Sequence, residues 1–444
     1  MIKDKKDTKK SKDVEKILLT YCWGNANAGD KVITKGTILS LRKIFPDAKI
    51  SIWHISGKKG STFRESEEYL KKIDSNIELL PNPIQAWNMK KFKFPIISRD
   101  SLKSSVPSLI FSNLNRKFLS NEPGLLELAN SDLVIFNCGH YFFWDSQMLG
   151  RWKKLLDSYP LWLAKRLEIP YGILPHSFGP FEFGVTELPI YLYYKNLFLD
   201  ADFLFTRESL SKENLKNQFG NNLEIINSID TGFFVEEQKD DARKILKKHN
   251  LNENQFIAMT LRLSKRGSGK KLDQKKYYEY AKKLTSCIEK LINKYDYKIA
   301  LVCQVPSDKI HSENILNNLP DDLQQNCEII DEKLEPETLE ALYGESKLLI
   351  GMRFHSLIFA LNVGTPVIGI YYYDIGPKIC GLLNDFGWSN FEFNLQKMEV
   401  DSLIEQVDKV LDNKEELGIE EKVDKRKQEF LGYLEEVRKN LVVE

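Results

Sequence analysis

Short apolar runs alternate with amphipathic stretches along most of this chain. KILLTYCW (16–23) leads into DKVITKGTILSLRKIF (30–45), whose apolar positions recur every three or four residues, and then into KISIWHI (49–55). The spacing predicts strand, helix, strand. The runs DLVIF (132–136), YGIL (171–174) and DFLF (202–205) continue the series, and SLSKENLKNQF (209–219) has the helical pattern that follows such a strand. Continuous apolar runs of this length are what strands buried on both faces of a parallel sheet look like. A second series opens near Asn254 with QFIAMTL, YKIALVCQ, KLLIG and PVIGIYY. Its predicted helices include YYEYAKKLTSCIEKLINKY (277–295) and SLIFALNV (356–363), with Gly364 placed to cap the latter.

The stretch 236–253 is rich in charge and poor in strand signals, so the domain boundary is placed there. The expected organisation is a frayed tail over 1–16, an N-terminal domain over 17–240 and a C-terminal domain over 250–420. A final helix over 421–444 is expected to return to the N-terminal domain. The segment 81–121 has proline, lysine and aromatics without periodicity, and reads as an excursion serving as a lid or an acceptor-contacting loop, or as a plain surface insertion. The fold class expected is α/β, with two Rossmann-like doubly wound domains facing across a cleft.

Length agrees with this division, because 444 residues exceed what one core of ordinary size organises. A composition of 42% hydrophobic and 29% charged residues excludes a disordered or collagenous chain. Lys plus Arg number 64 against 63 Asp plus Glu, a formal charge of +1, which removes the bulk electrostatic footprint of a nucleic-acid binder. The six cysteines are scattered without zinc spacing and read as reduced thiols. MIKDKKDTKKSKD lacks an apolar signal core, and no run of about 18 apolar residues follows. A cytoplasmic protein is expected. The aromatic and basic stretch 141–166 reads as an amphipathic core helix, or as a peripheral contact at the inner face of a membrane.

In doubly wound sheets, ligands bind beyond the carboxyl ends of the strands, where helix N-termini face them. The loop GNANAGD (24–30) lies there, with Asp30 placed to cap a helix or meet a ligand hydroxyl. Neither GxGxxG nor a Walker loop occurs, so the usual dinucleotide and P-loop readings fail. Arg207, Arg262 and Arg353 each follow a strand, His355 stands two residues beyond Arg353, and Lys378 follows the strand PVIGIYY. One such cation alone reads as a surface or salt-bridge residue. Their recurrence at strand ends points to a small, multiply charged anion held by guanidinium forks and a helix N-terminus.

GNANAGD, YGILPHSFGPFEF (171–183), ADFLFTRESLSKENLKNQFG (201–220), SIDTGFF (228–234), FIAMTLR (256–262) and the segment 346–387 together resemble the polysaccharide pyruvyl transferase family. The resemblance runs over about 17–390, and its most specific part is the Arg-x-His of 353–355 with the helix, glycine, proline and lysine that follow. It implies a fold similar to GT-B glycosyltransferases and transfer of a pyruvyl unit from phosphoenolpyruvate onto a saccharide as a ketal. It also implies a donor site lined by Arg207, Arg262, Arg353, His355 and Lys378. His355 and Arg353 are then the catalytic candidates, with Asp30 as proton acceptor. The acceptor side is drawn from Asn25, Asn27, Asp30, His140 and His176. NCGHYFFWD (137–145) departs from the family's usual glycine-rich turn, and its Asn137 and Trp144 read either as sugar contacts or as core. The donor is a substrate, so no cofactor or metal is expected, and Asp200–Asp202 precedes a strand on the wrong side of the sheet for a metal-binding DxD. A lipid-linked saccharide is one acceptor that fits. The rival readings are a nucleotide-sugar glycosyltransferase on the same architecture and a silent saccharide-binding homologue.

Overall fold

The computed structural model describes residues 13–22, 27–54, 61–83, 123–144, 155, 158–263, 272–372 and 378–441. The excursion predicted over 81–121 lies almost wholly outside these residues, as do Asn25 and much of the aromatic stretch 141–166. The chain divides into two compact units. One comprises 1–26, 30–234 and 428–444; the other comprises 27–29 and 235–427.

The first unit is built on β1 (Lys16–Cys22), α1 (Ala28–Ile44), β2 (Lys49–His54), α2 (Ser61–Ile73), β3 (Glu78–Pro81), α3 (Pro123–Ala129) and β4 (Leu133–Phe136). It continues with α4 (Tyr159–Arg166), β5 (Tyr171–His176), α5 (Leu188–Leu199), β6 (Phe203–Thr206), α6 (Ser209–Phe219) and β7 (Ile226–Asn227). The seven strands lie in the order β3-β2-β1-β4-β5-β6-β7, and every pairing is parallel. β4, β5 and β6 are buried at every residue, which is why they read as unbroken apolar runs.

The second unit holds α7 (Lys239–Lys248), β8 (Phe256–Thr260), α8 (Gln274–Lys294), β9 (Lys298–Val302), α9 (Pro306–Leu316), α10 (Asp321–Gln324) and β10 (Cys327–Ile330). Then follow α11 (Pro336–Gly344), β11 (Leu348–Gly351), α12 (Phe354–Asn362), β12 (Val367–Tyr371), α13 (Lys378–Asp385), β13 (Glu392–Asn394) and α14 (Val400–Asp412). Its parallel strands run β10-β9-β8-β11-β12-β13. In both sheets the first three strands build outward in one direction and the fourth returns beside the first, so each has one point where the order reverses. The strands that periodicity did not pick out, β3, β7, β10 and β13, are two to four residues long and only partly buried. So short a run carries too few positions for a pattern.

The last helix, α15 (Ile419–Leu441), begins in the second unit and ends in the first. In the first unit its Phe430 is fully buried, with ring centroids 5.9 Å from Phe205 and 5.5 Å from Phe234. Phe430→Ala is expected to lower the unfolding free energy by roughly 3–5 kcal/mol, measured by denaturant titration.

Glu340 on α11 is fully buried in the second unit, and its Oε1 accepts from Nδ2 of Asn362, which also donates to the Val235 carbonyl at 2.9 Å. Burial, with smaller contributions from Glu237 and Glu337, pushes its carboxyl up to about 8 against the pull of Asn362 and Lys427. The folded chain therefore keeps a proton that the unfolded chain releases near pH 4.5. Stability from this group is present below that pH and is lost as pH rises towards 8. Glu340→Gln is expected to unfold at a higher temperature than the parent at pH 8 and at the same temperature near pH 4.5.

Candidate functional site

In the second unit the strand order reverses between β8 and β11, and the residues past their carboxyl ends form a rim. Gly351 pairs with Thr260, so Arg353 and Arg262 occupy matching positions, each two residues beyond that pair on adjacent strands. The edge is stitched by Met352 N–H donating to the Thr260 carbonyl at 2.9 Å. Gly351 is needed here for space, since a Cβ would stand 2.9 Å from Cδ2 of Leu357 and 3.0 Å from Oγ of Ser356. Its bare backbone lets α12 start directly over β11.

Arg353 is the N-cap residue of α12, in extended conformation, and His355 is the second residue of the helix. Ser356 Oγ donates to the Arg353 carbonyl at 2.6 Å and accepts from Thr260 Oγ1 at 2.9 Å, which locks the first turn onto β8. Two consequences meet at this turn. A helix N-terminus carries partial positive charge and attracts anions, and a guanidinium stands beside it.

The Arg353 side chain is 16% exposed, and its Nη2 pairs with Oδ1 of Asp308. Asp308, on the first turn of α9, spends its other oxygen on the backbone N–H groups of Gln304 and Val305 at 3.1 and 3.2 Å. The loop after β9 thus holds Asp308, and Asp308 holds Arg353. Nε of Arg353 is buried and has no hydrogen-bond partner among the described residues. Beyond this pair, His311 is held below the usual histidine range mainly by burial, which together with the nearby Arg353 outweighs the opposing pull of Asp308. Lys378 opens α13 at the same carboxyl edge, after β12; residues 373–377 between them lie outside the described residues.

The first unit has its own reversal point between β1 and β4. Loop residues 23–26 lie outside the described residues, and α1 begins at Ala28, which places Asp30 inside the first helical turn rather than at the cap. Across this point Asn137 is buried, its Oδ1 accepting from Thr37 Oγ1 at 2.7 Å and from Cys138 N–H at 2.9 Å. His176 is fully buried. Its Nε2 accepts from Tyr141 N–H at 2.6 Å and its Nδ1 donates to the Asn137 carbonyl at 3.2 Å, so its ring fastens the chain after β4. His140 Nε2 donates to the Gly179 carbonyl at 3.0 Å, and Trp144 is fully buried in the aromatic core.

Arg207 is 2% exposed. Its Nη1 donates to Oδ2 of Asp230 at 2.6 Å and its Nε to Ser177 Oγ at 2.7 Å, with Glu208 3.6 Å away. Burial works against its charge, but Asp230 and the other neighbours outweigh burial and raise its pKa. The structure therefore brings Arg262, Arg353 and His355 to one rim with Lys378 at the same edge, and places Arg207 in an ion pair of the first unit. Sequence reasoning missed Asp308 and Asp230. Proline at the first position of α9 with an acid two residues on marks Asp308 as a first-turn carboxylate, but only the packing of β9 beside β8 aims it at Arg353. Among the described residues no group of three or more His, Cys, Asp or Glu side chains is placed to hold a metal ion. All six cysteines are free and buried. Among the described residues, no helix is long and apolar enough to cross a membrane.

The sequence profile of a family described as polysaccharide pyruvyl transferase matches residues 27–374, most of the chain and nearly all of the rim. The chain belongs to the polysaccharide pyruvyl transferase family. Lys378 falls four residues past the matched region. The amylovoran biosynthesis protein AmsJ of Erwinia amylovora is 27% identical over 417 residues, which cover 90% of this chain and 93% of that one. Among solved structures, a putative UDP-N-acetylglucosamine 2-epimerase from Listeria monocytogenes superposes with a TM-score of 0.53 at 15% identity, covering 92% of this chain and 90% of the other. Anabaena Alr3699/HepE, solved with UDP and glucose, gives 0.53 at 12% identity, covering 95% and 97%. At these identities the likeness is one of fold, a GT-B-like pair of parallel-sheet α/β domains.

Arg207→Met leaves Asp230 buried without its counter-charge. It is expected to cost about 3–5 kcal/mol of stability, read from thermal unfolding and denaturant midpoints.

Proposed function

We propose that this protein transfers a pyruvyl group from phosphoenolpyruvate to two hydroxyls of a saccharide, forming a pyruvate ketal during assembly of a polysaccharide. The observation that carries the reading is the rim of the second unit. Arg262 and Arg353 each come two residues after the last pair of adjacent strands, with a buried Nε on Arg353 that has no hydrogen-bond partner among the described residues and with His355 in the first turn of a helix. A compact donor with a carboxylate and a phosphate needs several fixed cations, and each charge-assisted hydrogen bond contributes about 1.5–3 kcal/mol. We assign the donor contacts to Arg262, Arg353 and Lys378 from their places at the carboxyl edge of this sheet; the family match and the likeness to an amylovoran biosynthesis protein support the class of reaction. Arg207, already paired with Asp230, is assigned to the support of the first unit.

In this mechanism His355 donates a proton to the methylene carbon of phosphoenolpyruvate, and the π electrons of the enol form the new C–H bond. The central carbon becomes cationic, sharing charge with its ester oxygen, and a sugar hydroxyl adds there and gives up its proton. A second hydroxyl then attacks the same carbon and closes the ketal, while phosphate leaves with the C–O bonding pair and takes up that hydroxyl's proton. Asp30, in the first turn of α1, is our candidate for accepting the first hydroxyl proton. The acceptor class is a saccharide, with a lipid-linked repeat unit as one form that fits polysaccharide assembly.

Thermal unfolding with phosphoenolpyruvate, and separately with uridine and guanosine diphosphate sugars, tests the donor. Phosphoenolpyruvate is expected to raise the midpoint, and Arg353→Ala to weaken its binding by at least about tenfold. Stabilisation by a nucleotide sugar alone would establish the glycosyltransferase reading instead. Stabilisation by neither would leave a saccharide-binding homologue.

A further inference from the structure

Residues 27–29 group with the second unit, and Gly29 is buried there. A Cβ built on Gly29 would stand 2.2 Å from Nδ1 of His355 and 2.9 Å from both Cε1 and Cγ, closer than real Cβ contacts come. The backbone of Gly29 is not in the left-handed region, and glycine is a poorer helix former than alanine. Neither backbone conformation nor helix propensity accounts for glycine in the first turn of α1. Space does. The ring atoms nearest Gly29 are Nδ1 and its two bonded neighbours, so His355 turns its Nδ1 edge to the glycine and Nε2 lies on the opposite edge.

We propose that Gly29 is a positioning residue, whose bare backbone seats the Nδ1 edge of His355 and leaves Nε2 as the nitrogen that delivers the proton to the donor's methylene carbon. The inference rests on the reading of His355 as general acid. In the step, the Nε2–H bond breaks and leaves its electron pair on nitrogen, the imidazolium becomes neutral imidazole, and the C=C π pair takes the proton. The loop GNANAGD then has a use for its second glycine that turn formation does not supply. An alanine at 29 meets a side chain rather than backbone, so the ring is the group it is expected to displace. A displacement of about 1 Å at a proton donor is enough to cost on the order of a hundredfold in rate.

The test compares Gly29→Ala with the parent and with His355→Gln, following phosphate release from phosphoenolpyruvate in the presence of a saccharide fraction extracted from the producing cells. Gly29→Ala is expected to keep its unfolding midpoint within about 2 °C and to lose roughly a hundredfold in kcat, with KM for phosphoenolpyruvate changing less than about threefold. A parental kcat in Gly29→Ala, with His355→Gln inactive, overturns the positioning role alone. A parental kcat in His355→Gln overturns the general-acid reading beneath it. If Gly29→Ala fails to fold, 15N-histidine NMR of the parent decides. Of the two His355 resonances, identified by their loss in His355→Gln, Nε2 is expected to move on addition of phosphoenolpyruvate, and movement of Nδ1 alone overturns the proposal.

Discussion

The reversal of strand order between β8 and β11 is the constraint from which the candidate site follows. Parallel neighbours put all their carboxyl ends on one edge, and helices on opposite faces leave that edge open where the order turns. Two residues beyond the Thr260–Gly351 pair, the chain leaving either strand has reached this edge. The chain has an arginine at both positions. The first turn of α12 then supplies a helix N-terminus at the same place, because Gly351 permits the close start and Ser356 binds it to Thr260.

Fixed charge at such an opening is expensive to orient, and the structure meets that cost through Asp308. One carboxylate oxygen is tied to two backbone N–H groups after β9 and the other to Arg353, so the guanidinium is aimed by the sheet's own loops. The equivalent investment in the first unit has a different outcome. There Arg207 is sealed with Asp230, and His176 and Asn137 spend their polar atoms on one another's surroundings, making that region a set of satisfied buried networks. Such networks rigidify the loops that follow β4 and β5.

The alternation of apolar runs and amphipathic stretches was enough to read two parallel α/β sheets, because strands buried on both faces cannot hide their composition. The resemblance of GNANAGD and the Arg-x-His segment was likewise legible, and the family match over 27–374 agrees with it. Short edge strands such as β7 and β13 were not legible, since two or three residues cannot display a period. The start of α1 was displaced as well. Asp30 looked like a cap, but the helix begins two residues earlier at Ala28, a position where small residues suit a close approach.

Strand-end arginines look alike in one dimension. Arg207, Arg262 and Arg353 share the same local setting, an apolar run followed by a cation, and that setting determined that each would stand at a carboxyl edge. How Arg207 and Arg353 are held depended on partners far along the chain. Asp230 lies 23 residues from Arg207, and Asp308 lies 45 residues from Arg353. Local pattern dictates where a strand ends. Only three-dimensional packing decides which carboxylate arrives there, because long-range ion pairs form between elements whose approach no single segment encodes.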